Sequence, residues 1–183
     1  MVIETERLIL REWKLSDIDD MVEGLNDFDT AKNLTVPFPY NENHAVYFIN
    51  NHLAHTEDNY TFAIVLKKEN KVIGGTSVEI NRETGKTKGG IWLNKNYHKQ
   101  GFGTEVWIAR AKFAFETLGL NELENGYFDF NEKSWKMQQK IGYKIVGKTT
   151  NNCPALGGEV VEVVTNLKKQ DFYEALKTLQ REQ

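Results

Sequence analysis

Gly101 and Gly103 stand in the run Tyr97-His98-Lys99-Gln100-Gly101-Phe102-Gly103-Thr104-Glu105, between an apolar stretch, Ile91-Trp92-Leu93, and a longer apolar-rich one, Val106 to Leu118. Strand, glycine turn, helix is a layout in which the unpaired N–H groups of a helix start face outward and the helix dipole adds partial positive charge. Glycine has no Cβ, so a ligand can lie against the backbone there. The chemistry this suits is the holding of phosphate oxygens, a diphosphate in particular. Two phosphate-binding fingerprints fail on the letters. A dinucleotide site needs a third glycine where Val106 stands, and a P-loop needs a Gly-Lys-Ser/Thr that is absent. A tight strand-to-helix turn with no ligand would use the same two glycines.

Other chemistry-bearing residues are scattered. His44, His52, His55 and Cys153 lack the spacing of a zinc set, so no metal is expected. Cys153 falls in a polar loop, and nothing nearby marks it as a nucleophile. Trp92, Trp107 and Trp135 fall in predicted elements and read as core. Lys67-Lys68 and Lys168-Lys169 read as solvated pairs at element ends.

The elements that must position these residues follow from pattern. A first strand spans Thr5 to Trp13, with apolar residues at 8 and 10. Ser16 caps a helix whose face is Ile18, Met21, Val22 and Leu25, with Asp17, Asp19 and Asp20 in its first turn. Pro37 and Pro39 break the chain. Asn41 caps a second helix carrying Ala45, Phe48, Ile49 and Leu53. Tyr60–Leu66, Lys71–Ile80 with a bulge at Gly74-Gly75, and Lys86–Leu93 form an antiparallel meander. After the long helix, Gly119 is a stop. Then come a strand Leu123–Phe130, a helix Asn131–Lys140 closed by Gly142, a strand Tyr143–Thr149, a polar loop Asn151–Gly158, a strand Val160–Leu167 and an amphipathic tail, Gln170 to Arg181. The fold class is α/β, a mixed and mostly antiparallel central sheet flanked by helices.

At 183 residues, 40% apolar and 27% charged, the chain suits one globular domain, 1–183, with 169–183 a helical tail. No apolar run nears the roughly 18 residues of a membrane span, and the N-terminus has no signal-peptide core. The single cysteine fits a reducing cytoplasm. A net charge of −3 gives no support to nucleic-acid binding.

The run Gly90-Ile91-Trp92-Leu93 through Thr104-Glu105 resembles the acetyl-CoA signature of the GNAT acyltransferases. It is nearest the branch with the RimJ/RimL-like ribosomal-protein N-terminal acetyltransferases, which shows G-Y-W-L and then Y-W-G-K-G-Y-A-T-E-A. Ile91 replaces the Tyr, His98 the Trp, Lys99 the Gly, Gln100 the Lys and Gly103 the Ala. Thr5-Glu6-Arg7-Leu8-Ile9-Leu10-Arg11 resembles the family's opening T-E-R-L-x-L-R. Asn131-Glu132-Lys133-Ser134, followed by Lys140-Ile141-Gly142-Tyr143, resembles its N-x-x-S/A and K-x-G-F/Y. Locally, Asn131 and Gly142 also read simply as helix caps.

The resemblance implies transfer of an acetyl group from acetyl-CoA to a primary amine by direct attack, with no covalent enzyme intermediate and no metal. Backbone N–H groups among His98, Lys99, Gln100, Gly101, Phe102, Gly103 and Thr104 would hold the diphosphate. The strand Ile91–Leu93 would splay from the Leu123–Phe130 strand at the acetyl-CoA site and pair with the pantetheine arm, its Leu93 N–H facing the thioester oxygen. Asn131 would hydrogen-bond the arm, and Ser134 would donate to the departing sulfur. Where relatives carry a basic Glu this chain has Lys88, so Glu79 and Glu162 are the substitutes, each equally readable as a solvated strand residue. Where many relatives place an acidic Tyr, it has Gln138. These two departures keep alive a second reading, an acyl-CoA sensor or interaction module without catalysis. The acceptor, protein N-terminus or small molecule, and the state, monomer or homodimer, stay open; neither nucleic acid nor membrane is an expected partner.

Overall fold

In the computed structural model, residues 1–52 and 56–181 are described. Leu53, expected on the second helix, and His55 lie outside them. Six strands make the first sheet: β1 Val2–Glu4, β2 Leu8–Arg11, β3 Asn59–Leu66, β4 Lys71–Ile80, then β5 Thr87–Lys88 and β6 Ile91–Leu93, both of which pair with β4. Every ladder in it is antiparallel. On one face lie α1 Ile18–Leu25, α2 Phe28–Ala31 and α3 Glu42–Asn51; on the other lies α4 Phe102–Lys112, which continues through a π-helical turn, Phe113–Thr117. With both faces covered, β3 has no polar side to show. Its last six residues, Thr61 to Leu66, are all buried, alternating between the α4 core and the α1/α3 core.

A second antiparallel sheet has the order β7-β9-β8, with β7 Glu122–Phe128, β8 Lys144–Cys153 and β9 Gly158–Lys168. Between β7 and β8 runs α5 Glu132–Lys140, and the chain ends in α6 Lys169–Arg181. Phe172 of α6 is fully buried beside Phe115, so this tail belongs to the main core.

Several expectations are corrected. The strand Lys86–Leu93 is two pieces, broken at Gly89-Gly90, because Gly89 adopts φ +135 and passes so close to β4 that a Cβ would sit 2.2 Å from the Ser77 carbonyl oxygen. Ser16 is not the cap of α1. A 3₁₀ turn, Leu15–Asp17, precedes that helix, and Asp17 does the fixing: it accepts from the Lys14 N–H at 2.9 Å and takes both Arg11 guanidinium nitrogens at 2.7 and 2.8 Å. The polar loop shrinks to a turn around Pro154–Gly157, because 151–153 continue β8 opposite Val160, Glu159 and Gly158. That places Cys153 inside, its Sγ 3.3 Å from the Lys32 carbonyl, rather than in an open loop. The bulge on β4 does fall beside Gly74, with Ile73 as the extra residue.

Candidate active site

The glycine turn is the start of α4. Gly101 is its N-cap with φ +83, a left-handed conformation that favours glycine. The first helical bond is Glu105 N–H to the Gly101 carbonyl at 3.1 Å, which leaves the N–H groups of Phe102, Gly103 and Thr104 without intrahelical acceptors. Gly103 differs from Gly101. A Cβ there would meet Met137 at 3.5 Å and Leu93 at 3.7 Å, ordinary contacts, so alanine fits. The Phe102 side chain is core, its ring under the Arg7 guanidinium at 4.3 Å, and only its N–H faces a ligand's place.

What sets this turn is the chain's other end. Glu105 accepts from the Thr5 hydroxyl at 2.6 Å, the Arg7 N–H at 2.9 Å and the Arg7 Nε at 2.8 Å. Arg7 Nη1 reaches on to the Gln100 carbonyl at 2.8 Å. The Thr5-Glu6-Arg7 stretch is thus a brace for the glycine turn. Burial alone would raise the Glu105 pKa, but the Thr5 and Arg7 hydrogen bonds outweigh it and hold the carboxyl below its ordinary value. A depressed carboxylate stabilises the fold above its unfolded pKa, and that contribution is lost as pH falls through the folded value. Glu105→Gln is therefore expected to cost about 1–2 kcal/mol at pH 7. In thermal unfolding the gap to the parent should close as pH falls below the ordinary carboxylate pKa, about 4.3.

Beside the turn, β6 has an open edge. Asn94 N–H bonds the Ile73 carbonyl at 2.8 Å and Ser77 N–H bonds the Gly90 carbonyl at 3.2 Å, so residues 90 and 94 point their backbone groups at β4. By strand alternation Trp92 does too, while the backbone groups of Ile91 and Leu93 point away. The Leu93 carbonyl is taken by His98 Nε2 at 2.9 Å, a contact that requires the Nε2–H tautomer, and the Leu93 N–H is left as a fixed donor. Toward β7 no backbone ladder joins the two sheets among the described residues; near β5, Glu124 N–H donates to the Thr87 hydroxyl at 2.7 Å and the Glu124 carboxylate pairs with Lys86 at 3.3 Å. From that seam β6 and β7 run on in separate sheets, with no ladder between them.

At the far side of the gap, Asn131 caps α5 by accepting from the Ser134 N–H at 3.2 Å, leaving its NH2 for other partners. Ser134 Oγ accepts from Gln138 Nε2 at 3.1 Å, and Gln138 Oε1 accepts from the Thr165 hydroxyl at 2.6 Å. Gln138 is fully buried, so this orientation is held on both sides. A serine that accepts from its neighbour keeps its own proton for another acceptor.

The opposite mouth of the gap is a cavity of about 720 Å³ reaching from β6 and β7 to α1 and α3. Glu162 of β9 enters it across Gly126, where a Cβ would lie 2.1 Å from Glu162 Oε1, and its Oε2 accepts from Asn151 Nδ2 at 3.1 Å. Glu79 and Lys88 also line it, as cross-strand partners. Tyr40 lines it as well, but burial pushes its hydroxyl up to about 12, which removes it as a proton acceptor near neutral pH.

Of the residues expected at the site, Ile91 lines the cavity with Glu162, and Gly103 lies beside Leu93 of β6 and Met137 of α5, the helix that Asn131 caps and whose first turn carries Ser134. Thr5, Arg7, Glu105 and Thr165 are additions. The motif containing Thr5 and Arg7 was legible, but its link to Glu105 was not. No group of metal-binding side chains occurs among the described residues, and no described helix is long and apolar enough to cross a membrane.

Known proteins resemble this chain in sequence and in fold. The uncharacterized N-acetyltransferase p20 of Bacillus licheniformis is 25% identical over 173 residues, 92% of this chain and 96% of that protein. The ribosomal-protein-S5-alanine acetyltransferase of Vibrio fischeri superposes with a TM-score of 0.77 at 20% identity, covering 94% of this chain and 98% of that one. The microcin C7 self-immunity acetyltransferase MccE, solved with acetyl-CoA and AMP, does so with a TM-score of 0.74 at 17% identity, covering 90% and 93%. GNAT acetyltransferases use acetyl-CoA, and a glycine turn with free amides beside an open strand edge fits it. The acetyltransferase (GNAT) domain pattern matches residues 7–144, from the Arg7 brace through the glycine turn to the start of β8, and the chain belongs to that family.

Proposed function

We propose that this acetyltransferase passes the acetyl group of acetyl-CoA to a primary amine by direct attack, with both substrates bound at once. The observation that carries this reading is the outward-facing edge of β6, which lies beside the free amides at the start of α4. Bound acetyl-CoA supplies an activated thioester; the chain's own groups do the rest. Amides from Lys99 to Thr104 hold the diphosphate, and the Asn131 NH2 holds the arm. Leu93 N–H donates to the carbonyl oxygen as negative charge gathers there. Glu162 takes the amine's proton, directly or through a water, because free amines of pKa about 8 or higher are mostly protonated at pH 7. Ser134 donates to the departing sulfur. Cys153 is buried against Lys32 and does not line the cavity, which favours direct transfer over an acyl-cysteine.

Thiol release from acetyl-CoA across a panel of amines tests this reading. Turnover supports it, whereas tight CoA binding with no turnover would favour the acyl-CoA sensor, a reading that Lys88 and Gln138 encourage. Gly126→Ala is a sharper probe. The added methyl displaces the flexible end of Glu162 and little else, so kcat should fall by about tenfold or more while Tm changes by only a few degrees.

A further inference from the structure

The cavity also bears on what carries the amine, an inference that rests on the transfer reading above. We propose that the acceptor is a compact monoamine on an apolar or aromatic body, with an oxygen acceptor a few bonds from the nitrogen. Charge comes first. Of the carboxylates lining the cavity, Glu124 is paired with Lys86 at 3.3 Å, and Glu79 is exposed to solvent opposite Lys88 on the β4–β5 ladder. Glu162 accepts from the neutral Asn151 amide and forms no ion pair among the described residues. There is one place for an ammonium, and a second cationic group would meet Lys88. Trp13, Leu34, Phe48 and Trp92 give the cavity an apolar, largely aromatic surface for the body of the acceptor, while Asn33, Thr35 and His52 also line it.

Trp13 supplies the second observation. It lines the cavity at 3% exposure, yet its indole N–H is buried with no acceptor among the described residues. An orphaned donor of this kind costs stability unless a ligand satisfies it. Its location is informative. A Cβ on Gly75 would lie 2.8 Å from Trp13 Cζ2 and 2.6 Å from Trp92 Nε1, so both indoles rest on β4 at Gly75. Gly75 faces Trp92 across the β4–β6 ladder, one strand spacing of about 5 Å from the edge where transfer occurs. An oxygen bonded by Trp13 therefore sits close to the reacting nitrogen, as in an amino amide or a peptide's first residue.

The test measures thiol release with phenylalaninamide, a Phe-initiated tripeptide, 2-phenylethylamine, glucosamine and spermidine, using the full chain and Trp13→Phe. The aromatic monoamines should exceed glucosamine and spermidine in kcat/KM by about tenfold or more. Trp13→Phe keeps a ring and removes the N–H. It should lower kcat/KM for phenylalaninamide about tenfold more than for 2-phenylethylamine, which has no oxygen. A merely structural loss would lower both alike, and that result, or a preference for spermidine or glucosamine, would overturn the proposal while sparing the transfer reading. The ratio of tripeptide to amide identifies the source as a chain end or a free metabolite. Turnover of none of these amines, nor of any other, would remove the transfer reading and this inference together.

Discussion

Glu162→Gln is expected to lower kcat/KM by about 10²- to 10⁴-fold, the range for loss of a positioned general base. The substitution keeps the shape and the Asn151 contact but cannot accept a proton. Near neutral pH the amine must lose a proton before it attacks, and Glu162 is a cavity carboxylate that forms no ion pair among the described residues. The sign of the pH dependence follows. Above the amine's own pKa, about 8 for an α-amine, free amine becomes plentiful and the base matters less. The deficit of Glu162→Gln should therefore shrink as pH rises past that value. A deficit constant with pH would assign Glu162 to acceptor binding alone. A deficit in Glu79→Gln instead would move the base to β4.

Ser134→Ala should lower kcat by about 10²-fold, the low end for general acid catalysis. A thiol of pKa about 8.5 leaves tolerably as thiolate, so full protonation is not required of the enzyme. Acetyl-CoA affinity should not change, since the diphosphate grip lies on α4. Gln138→Met tests how the serine is aimed. Without the amide, the hydroxyl is free to turn, and an intermediate loss of about tenfold in kcat is expected with KM unchanged. Parent-like turnover in Ser134→Ala would end its role as proton donor.

What could be read from sequence was local. The caps at Asn41 and Asn131 are short-range hydrogen bonds, and both occur where the letters place them. The glycine turn was legible because only a left-handed cap asks for Gly101. The break at Gly89-Gly90 was not. Alternation carries through those residues, and the distortion comes from the approach of Ser77 on a neighbouring strand. Asn151-Asn152-Cys153 read as loop by composition, yet pairing with β9 imposed strand geometry, as tertiary context often does. The separation of β6 from β7 was implied by the family resemblance, and the Thr87 hydroxyl that accepts from Glu124 across the seam has no sequence signal of its own. The Glu105 brace spans 98 residues to Arg7, beyond any local pattern. Glu162 became distinguishable from Glu79 only once Gly126 was seen beneath it.

The most direct test is calorimetric titration of acetyl-CoA into the parent, Gly101→Ala and Gly103→Ala. If main-chain amides at the start of α4 grip the diphosphate, the parent binds at one site and Gly103→Ala binds equally well. Gly101→Ala, strained at φ +83, should then bind about tenfold or more weakly. Absence of binding heat with folded parent protein, or equal affinity for all three, would contradict it.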